Sequence, residues 1–126
     1  MQSKTARARG NAGEDAVCAW LTQRGWRICA RNFTVRGGEI DIVAARGEVL
    51  AFVEVKTRMA GALVGGGEAI NATKRKHLIF AAQRFLQTHP EFDGHDARFD
   101  AALVQTVGDA ATDIDYYESA FDASCP

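Results

Sequence analysis

The order of helical and strand-like segments predicts an α/β fold, a central mixed sheet of about four to five strands flanked by helices. A helical apolar repeat opens the chain, three strand-like segments follow it, and a second helical repeat leads into two further strand-like segments. The predicted element order is therefore α-β-β-β-α-β-β. A length of 126 residues is enough for one domain with its own core.

The first predicted helix covers residues 9–24 and ends at Gly25. Its apolar face includes Val17 and Leu21. Glu14 precedes both at helical spacing, so it should lie on or beside this face and point inward. A first-turn glutamate that the helix dipole favours is an equally good interpretation of Glu14 from the sequence alone.

Three strands are predicted over residues 26–33, 38–44 and 50–56. Side chains alternate between the two faces of a strand. In the second strand this alternation places Ile40, with the other even-numbered residues, on one face and Asp41 on the opposite face. An acidic side chain in such an apolar strand is costly unless it has a role.

A two-residue hairpin loop at Arg46 and Gly47 is predicted to connect the second and third strands. In this register Asp41 lies opposite Phe52, and Glu54 is a diagonal neighbour of Asp41 on the same face. Any loop with an even number of residues keeps the two carboxylates on one face, whereas an odd number separates them.

A second helix is predicted over residues 72–88, after a glycine-rich segment at 60–67 and with Asn71 as the N-cap. Lys74 continues the apolar face of this helix. It could reach back toward the third strand or extend into solvent, and the sequence favours neither. A right-handed crossover should place a fourth strand, residues 98–104, parallel to the third.

The remaining predictions concern the ends of the chain and its environment. A last strand is predicted over residues 114–117, and residues 1–8 and 122–126 are expected to be flexible ends of a single domain, 1–126. No apolar run is long enough for a membrane span, and no signal segment follows the basic N-terminus, so we expect a cytoplasmic protein without membrane partners. Three cysteines without CxxC spacing are interpreted as reduced thiols.

The charge distribution is uneven although the net charge is only −1. Residues 1–36 carry a net charge of +5, residues 37–90 carry +2, and residues 91–126 carry −8. The basic part could attract phosphate groups, although charged runs are also common on ordinary solvated surfaces.

The acidic residues of the second and third strands suggest metal chemistry. Asp41 and Glu54 are hard oxygen ligands that suit Mg²⁺ or Mn²⁺, and the backbone carbonyl of Val55 could add a third ligand. Lys56 could orient a water or stabilise developing negative charge, and Glu14 could complete the metal shell. A cross-strand ion-pair cluster is the competing interpretation, but two carboxylates against one lysine leave a negative excess that a cation explains better.

The order of these residues resembles the PD-(D/E)xK nuclease superfamily and, more narrowly, the YraN family of uncharacterised bacterial proteins, which is similar to archaeal Holliday-junction resolvases. The matching segments are Gly13-Glu14, Gly25-Trp26, Arg31-Asn32-Phe33, Gly38-Glu39-Ile40-Asp41, Phe52-Val53-Glu54-Val55-Lys56-Thr57-Arg58, Lys74, Arg98-Phe99-Asp100 and Ala120-Phe121. The resemblance implies a restriction-endonuclease-like fold, with Asp41, Glu54 and Lys56 as catalytic residues and Glu14 as the helix-borne glutamate. Ile40 replaces the proline that names the motif, which removes no metal ligand.

Together these residues predict a metal-dependent endonuclease that hydrolyses DNA in preference to RNA, including branched or junction DNA. The predicted nucleic-acid contacts are Arg58, Lys74, Arg36, Arg7 and Arg9. Glu39 is either an accessory ligand or a residue at the rim of the site. Lys74 is predicted as an accessory cation. A homodimer would suit junction cutting. A non-catalytic nucleic-acid-binding module is the alternative function, and a scaffold whose acidic tail binds a protein is a third.

Overall fold

The computed structural model describes residues 2–59, 71–108 and 110–121, with side chains from residue 12 onward. The elements are α1 (Gln2–Gln23), β1 (Arg27–Val35), β2 (Gly38–Arg46), β3 (Val49–Met59), α2 (Ala72–Thr88), a short 3₁₀ helix (Pro90–Phe92), β4 (Asp96–Val107) and β5 (Ala110–Phe121). The α/β class and the predicted element order are confirmed.

The five strands form one mixed sheet with the spatial order β1-β2-β3-β4-β5. β3 and β4 are parallel, and the other neighbouring strands are antiparallel. The crossover through α2 therefore connects two parallel strands, as the sequence predicted, and the structure shows that these strands are adjacent, which the sequence left open. β3 lies in the middle of the sheet, where both of its faces can be covered.

A hydrophobic core lies on each face of the sheet. α2 covers one face, where Phe85 packs with Phe52 of β3. α1 covers the other face, where Val17 and Leu21 pack with Val53. Phe52 and Val53 are consecutive and both fully buried, which explains the nearly continuous apolar sequence of this central strand.

The helix bounds agree with the predictions at one helix and differ at the other. α2 has the predicted bounds, and the Asn71 side chain accepts a hydrogen bond of 2.8 Å from the Lys74 N–H, as an N-cap does. α1 begins at Gln2, earlier than predicted, because residues 2–8 favour helix without contributing to the apolar repeat. The glycine-rich segment at 60–67 and the C-terminal residues 122–126 lie outside the described residues.

The β2–β3 hairpin differs from its predicted register by two residues. Arg46 pairs with Val49, so the two loop residues are Gly47 and Glu48. Gly47 has a φ of +58°, a left-handed conformation that suits glycine at the first position of a two-residue hairpin loop. This conformation fixes the loop one residue later than the sequence indicated.

The changed register alters the relation between the two acidic residues. Phe52 pairs with Val43, so the predicted pairing of Phe52 with Asp41 was wrong. The loop still has an even number of residues, and the pairing of the two strands ends at Ile42 and Val53. Asp41 and Glu54 therefore lie next to this last pair, one on each strand.

Two features of the composition can be compared with the structure. In the part of the chain that is described, no helix is long and apolar enough to cross a membrane. Cys18 and Cys29 are free and partly buried, and burial raises the pKa of both thiols. Neither is therefore an activated nucleophile.

Candidate metal centre between β2 and β3

The regular alternation of β2 is interrupted at Asp41. Val43 packs under α2 and Ile42 packs under α1, as alternation requires, but Ile40 packs under α2 with Val43. The prediction that Ile40 and Ile42 share a face was therefore wrong. In β1, Asn32 lies opposite Asp41 and has a φ of +53°, in the left-handed region that asparagine tolerates better than most residues. The side chains of β2 therefore change faces at the level where β1 contains a left-handed residue.

The Asp41 carboxylate lies where β2 and β3 stop pairing. Its Oδ2 accepts a hydrogen bond of 2.7 Å from the backbone N–H of Val55, and the last backbone pair before it is Ile42 with Val53. The N–H and C=O of a strand residue point to the same side of the strand. The Val55 carbonyl oxygen therefore points into the same gap, so the structure brings these two predicted ligands together.

Glu54 approaches this gap from the α2 side of the sheet. Its side chain is only 9% exposed and forms an ion pair of 3.1 Å with Lys74, whose side chain is 50% exposed. Lys74 therefore reaches back to β3, one of the two orientations that the sequence left open. Lys56 is partly buried on the same strand and, within the ranges that the structure describes, has no ion pair. The ion pair of Glu54 is with the helix lysine rather than with Lys56.

Glu14 approaches from α1, on the opposite side of the sheet. Its Oε1 accepts hydrogen bonds from the Asn32 amide at 3.1 Å and from Arg31 at 3.4 Å, and its side chain is 14% exposed. Glu14 lies in the middle of α1, which excludes the first-turn interpretation. Gly13 allows this close approach, because a Cβ at this position would collide with the methyl group of Thr57 on β3. Sequence reasoning missed Asn32 and Gly13 as positioning residues.

The electrostatic environment raises the pKa of Asp41 from 3.8 to about 7. Burial is the largest cause, followed by the negative charge of Glu54 and, more weakly, of Glu14 and Glu39, while the backbone hydrogen bond acts in the opposite direction. The charge of Glu54 is also the main cause that raises the pKa of Lys74. Lys74 beside Glu54 and Arg31 beside Glu14 compensate only part of the charge of these four carboxylates, and a divalent cation would neutralise the negative excess.

The donor set suits a hard divalent cation. Asp41, Glu54 and the Val55 carbonyl offer oxygen ligands from two neighbouring strands, and Mg²⁺ commonly uses one or two carboxylates and keeps several waters. Among the described residues, no group of three His, Cys, Asp or Glu side chains forms a metal site by itself. We therefore expect Glu14 to act through a water or through its charge rather than as a third direct carboxylate.

A cavity of about 290 Å³ adjoins Glu54 on the α2 side. It is lined by Lys74 and His77 of α2 and by the β1–β2 turn, including Gly37. Glu39 also lines this cavity and is exposed, which fits the rim position that the sequence left open for it. The cavity provides access to Glu54 from solvent.

The predicted nucleic-acid contacts lie at different distances from this site. Lys74 contacts Glu54 directly. Arg36 is exposed in the β1–β2 turn, next to the cavity wall, and Arg58 is partly buried farther along β3. Arg7 and Arg9 lie in the first half of α1, outside the described side chains.

Asp100 of β4 is another carboxylate inside the sheet. It is fully buried, but it differs from Asp41 in its hydrogen bonding. It accepts two bonds from Arg98, at 2.9 and 3.0 Å, one from the Tyr116 hydroxyl at 2.6 Å and one from the Ser119 N–H at 2.9 Å. Both of its oxygens already have two donors each, so Asp100 stabilises the pairing of β4 with β5 and is not a candidate ligand.

Fold and site together define a small α/β protein with a carboxylate cluster where two strands of its sheet separate. A profile described as "Uncharacterised protein family UPF0102" matches residues 13–104, a range that contains Glu14, Asp41 and Glu54. The chain belongs to the UPF0102 family, which confirms the resemblance to the YraN proteins.

Relatives that carry this family name are similar to this chain over most of their length. A UPF0102 protein of Synechococcus sp. (strain JA-3-3Ab) is 42% identical over 118 residues, which cover 90% of this chain and 89% of the relative. One from Pseudomonas aeruginosa (strain LESB58) is 36% identical over 121 residues, covering 95% and 97%. One from Myxococcus xanthus (strain DK1622) is 38% identical over 117 residues, covering 93% and 91%.

Proposed function

We propose that this protein is a metal-dependent endonuclease that hydrolyses phosphodiester bonds in DNA, including branched or junction DNA. The observation that carries the proposal is the position of Asp41, in a gap that also receives a backbone carbonyl and the charge of Glu54. A carboxylate that loses water normally has donors that compensate its charge, whereas Asp41 has one backbone donor and its pKa is raised by the charge of Glu54. A phosphate-binding divalent cation is the simplest species that would make this arrangement favourable.

Each residue of the site has a role in this proposal. Asp41, Glu54 and the Val55 carbonyl would hold Mg²⁺ or Mn²⁺, which when bound lowers the pKa of a water and polarises the phosphoryl group. Lys56 would orient the attacking water or donate to a phosphate oxygen, because it has three donors. Glu14, held by hydrogen bonds on the other side of the sheet, would accept from a water in the outer shell.

The partners are part of the same proposal. We propose DNA rather than RNA as the substrate, a homodimer that would address two strands of a junction, and the cytoplasm as the location. The exposed cations at Lys74 and Arg36 lie beside the cavity and would contact phosphates on either side of the scissile bond.

The second candidate function is a nucleic-acid-binding module without catalysis. The observation that favours it is the ion pair between Lys74 and Glu54, because this contact compensates one candidate ligand without a metal. In that case the protein would bind nucleic acid through its basic residues and would not cleave it.

A cleavage assay separates the two functions. The purified protein is incubated with Mg²⁺ or Mn²⁺ and with linear, flap and four-way-junction DNAs and the equivalent RNAs. We expect cleavage by the wild type and a loss of about 100-fold or more in Glu54→Gln and Lys56→Ala. Glu48→Gln is the matched control, because Glu48 is exposed at the opposite end of the same two strands.

Cleavage that is equal in the wild type and in Glu54→Gln would refute the proposed chemistry. Binding without cleavage under all conditions would favour the binding module.

A further inference from the structure

An exposed aromatic residue lies at the edge of the cavity beside the carboxylates. Phe80 is 40% exposed, whereas Leu78, Ala81 and Phe85 of the same helix are buried in the core. The Phe80 ring lies against Gly37, where a Cβ would be 3.3 Å from the ring, and Gly37 also lines the cavity. The aromatic ring is therefore next to the cavity that leads to Glu54.

Polar and charged residues lie in line with Phe80 on one face of α2. Lys74, His77, Phe80 and Arg84 follow one another at intervals of three or four residues, which places them side by side along the helix. We call these four residues the α2 strip. Lys74 contacts Glu54, and His77 lines the cavity. The Arg84 guanidinium lies 5.8 Å from the centroid of the Phe80 ring.

We propose that Phe80 is a stacking platform for an unpaired base of the strand whose phosphate lies at Asp41 and Glu54. The inference rests on the proposed function and specifies the substrate class: single strands, flaps and the unpaired regions of branched nucleic acids. Lys74 and Arg84 contact the phosphates on either side of the stacked base. Proteins that bind single strands combine cations, which contact the phosphates, with aromatic rings, on which the bases stack. Lys74, Phe80 and Arg84 provide this combination.

The size of the cavity favours an unpaired strand over a continuous duplex as the ligand. A volume of about 290 Å³ is at the lower limit of small-molecule sites and accommodates one nucleotide-sized group. A base that remains stacked in a duplex offers only its edge to a protein, whereas an unpaired base can place its face on an aromatic side chain. Phe80 therefore distinguishes unpaired from paired strands without reading their sequence.

Binding measured without divalent metal separates this inference from catalysis. Fluorescence anisotropy of a short single-stranded DNA should show an affinity about 5- to 150-fold lower for Phe80→Ala than for the wild type. The affinity for the same sequence as a blunt duplex should be nearly unchanged. Phe80→Trp should retain single-strand binding, because it keeps an aromatic surface. Tyr117→Ala is the matched control, because Tyr117 is an aromatic residue that is 52% exposed on β5, at the far edge of the sheet.

A base analogue reports the stacking itself. An oligonucleotide with 2-aminopurine should lose fluorescence on binding to the wild type and to Phe80→Trp, and retain it with Phe80→Ala. If Phe80→Ala does not fold by circular dichroism, Phe80→Leu gives the same test, because leucine keeps apolar volume without an aromatic face.

The outcomes distinguish this inference from the proposed function. Single-strand affinity that is unchanged in Phe80→Ala, or reduced equally for single strand and duplex, overturns the stacking platform even when the wild type cleaves DNA. Single-strand binding that depends on Phe80 in a protein without cleavage supports the platform and overturns the endonuclease. A wild type that binds no nucleic acid without metal overturns the platform, and a wild type that also cleaves none with Mg²⁺ or Mn²⁺ overturns the endonuclease.

Discussion

Replacing Asp41 with asparagine should stabilise the metal-free protein at neutral and alkaline pH. The pKa of this carboxyl is raised from 3.8 to about 7 in the folded state, first by burial and then by Glu54. The folded state therefore holds the proton more tightly than the unfolded state does. The stabilising contribution is fully present below pH 3.8 and is lost as the pH rises through about 7.

The magnitude follows from the difference between the two pKa values. A shift from 3.8 to about 7 corresponds to about 4 kcal/mol of folding free energy between acidic and alkaline pH. For a chain of 126 residues this is roughly 15 °C in Tm. Asparagine has no charge to desolvate, and its amide oxygen can still accept the hydrogen bond from the Val55 N–H.

The assay is urea unfolding of the wild type and Asp41→Asn, with a chelator, between pH 4 and pH 8. The difference between the two proteins should increase with pH in favour of the variant, and taking the difference cancels the titrating groups that do not interact with Asp41. Added Mg²⁺ at pH 8 should stabilise the wild type and not the variant. A difference that does not change with pH would refute the pKa argument. Equal stabilisation of both proteins by Mg²⁺ would refute Asp41 as a ligand.

Three further substitutions test the packing and charge around the site. Gly13→Ala should lower the free energy of unfolding by about 1–3 kcal/mol, because its Cβ meets the methyl group of Thr57, and Thr57→Ser should restore most of this loss in the double variant. Tyr116→Phe removes the 2.6 Å hydrogen bond to Asp100 and should cost about 1.5–3 kcal/mol in the same measurement, so a negligible change would contradict the proposed role of this network. Lys74→Gln removes the cation that neutralises a candidate ligand, so calorimetry should show several-fold tighter Mn²⁺ binding; an unchanged affinity would place the metal elsewhere.

The order and type of the elements could be predicted because hydrophobic periodicity records which face of each element is buried. α2 is the clearest case, since its cap at Asn71 and its apolar repeat together determine its bounds. The hairpin register was less certain because Gly47 stands between two polar residues, Arg46 and Glu48, and a two-residue loop can include either one. The left-handed conformation of Gly47 decides between them, and periodicity contains no information about it.

The site was predictable to the extent that it depends on strand parity. An even loop keeps Asp41 and Glu54 in phase in either register, but the alternation of β2 is interrupted at Asp41, so parity alone does not determine where its side chain points. The irregular backbone at Asn32 was not predictable, because a left-handed residue inside a strand leaves no mark on the alternation of a single sequence. Its contact with Glu14 joins two elements that are separated in the chain, and only the assembled sheet brings them together.

Asp41 and Asp100 show two ways in which this fold treats a carboxylate among apolar strands. Asp100 is surrounded by donors, from an arginine, a tyrosine and a backbone N–H, and these compensate its desolvation. Asp41 has the single backbone donor of Val55, and the charges of other carboxylates raise its pKa. The sheet therefore provides several donors that compensate the charge of Asp100 and a single backbone donor for Asp41, where β2 and β3 separate. A cation bound at the proposed site would recover the resulting loss of stability at neutral pH, as a proton does below pH 7, which is why the strongest test of the site is a stability measurement with and without Mg²⁺ rather than an activity assay alone.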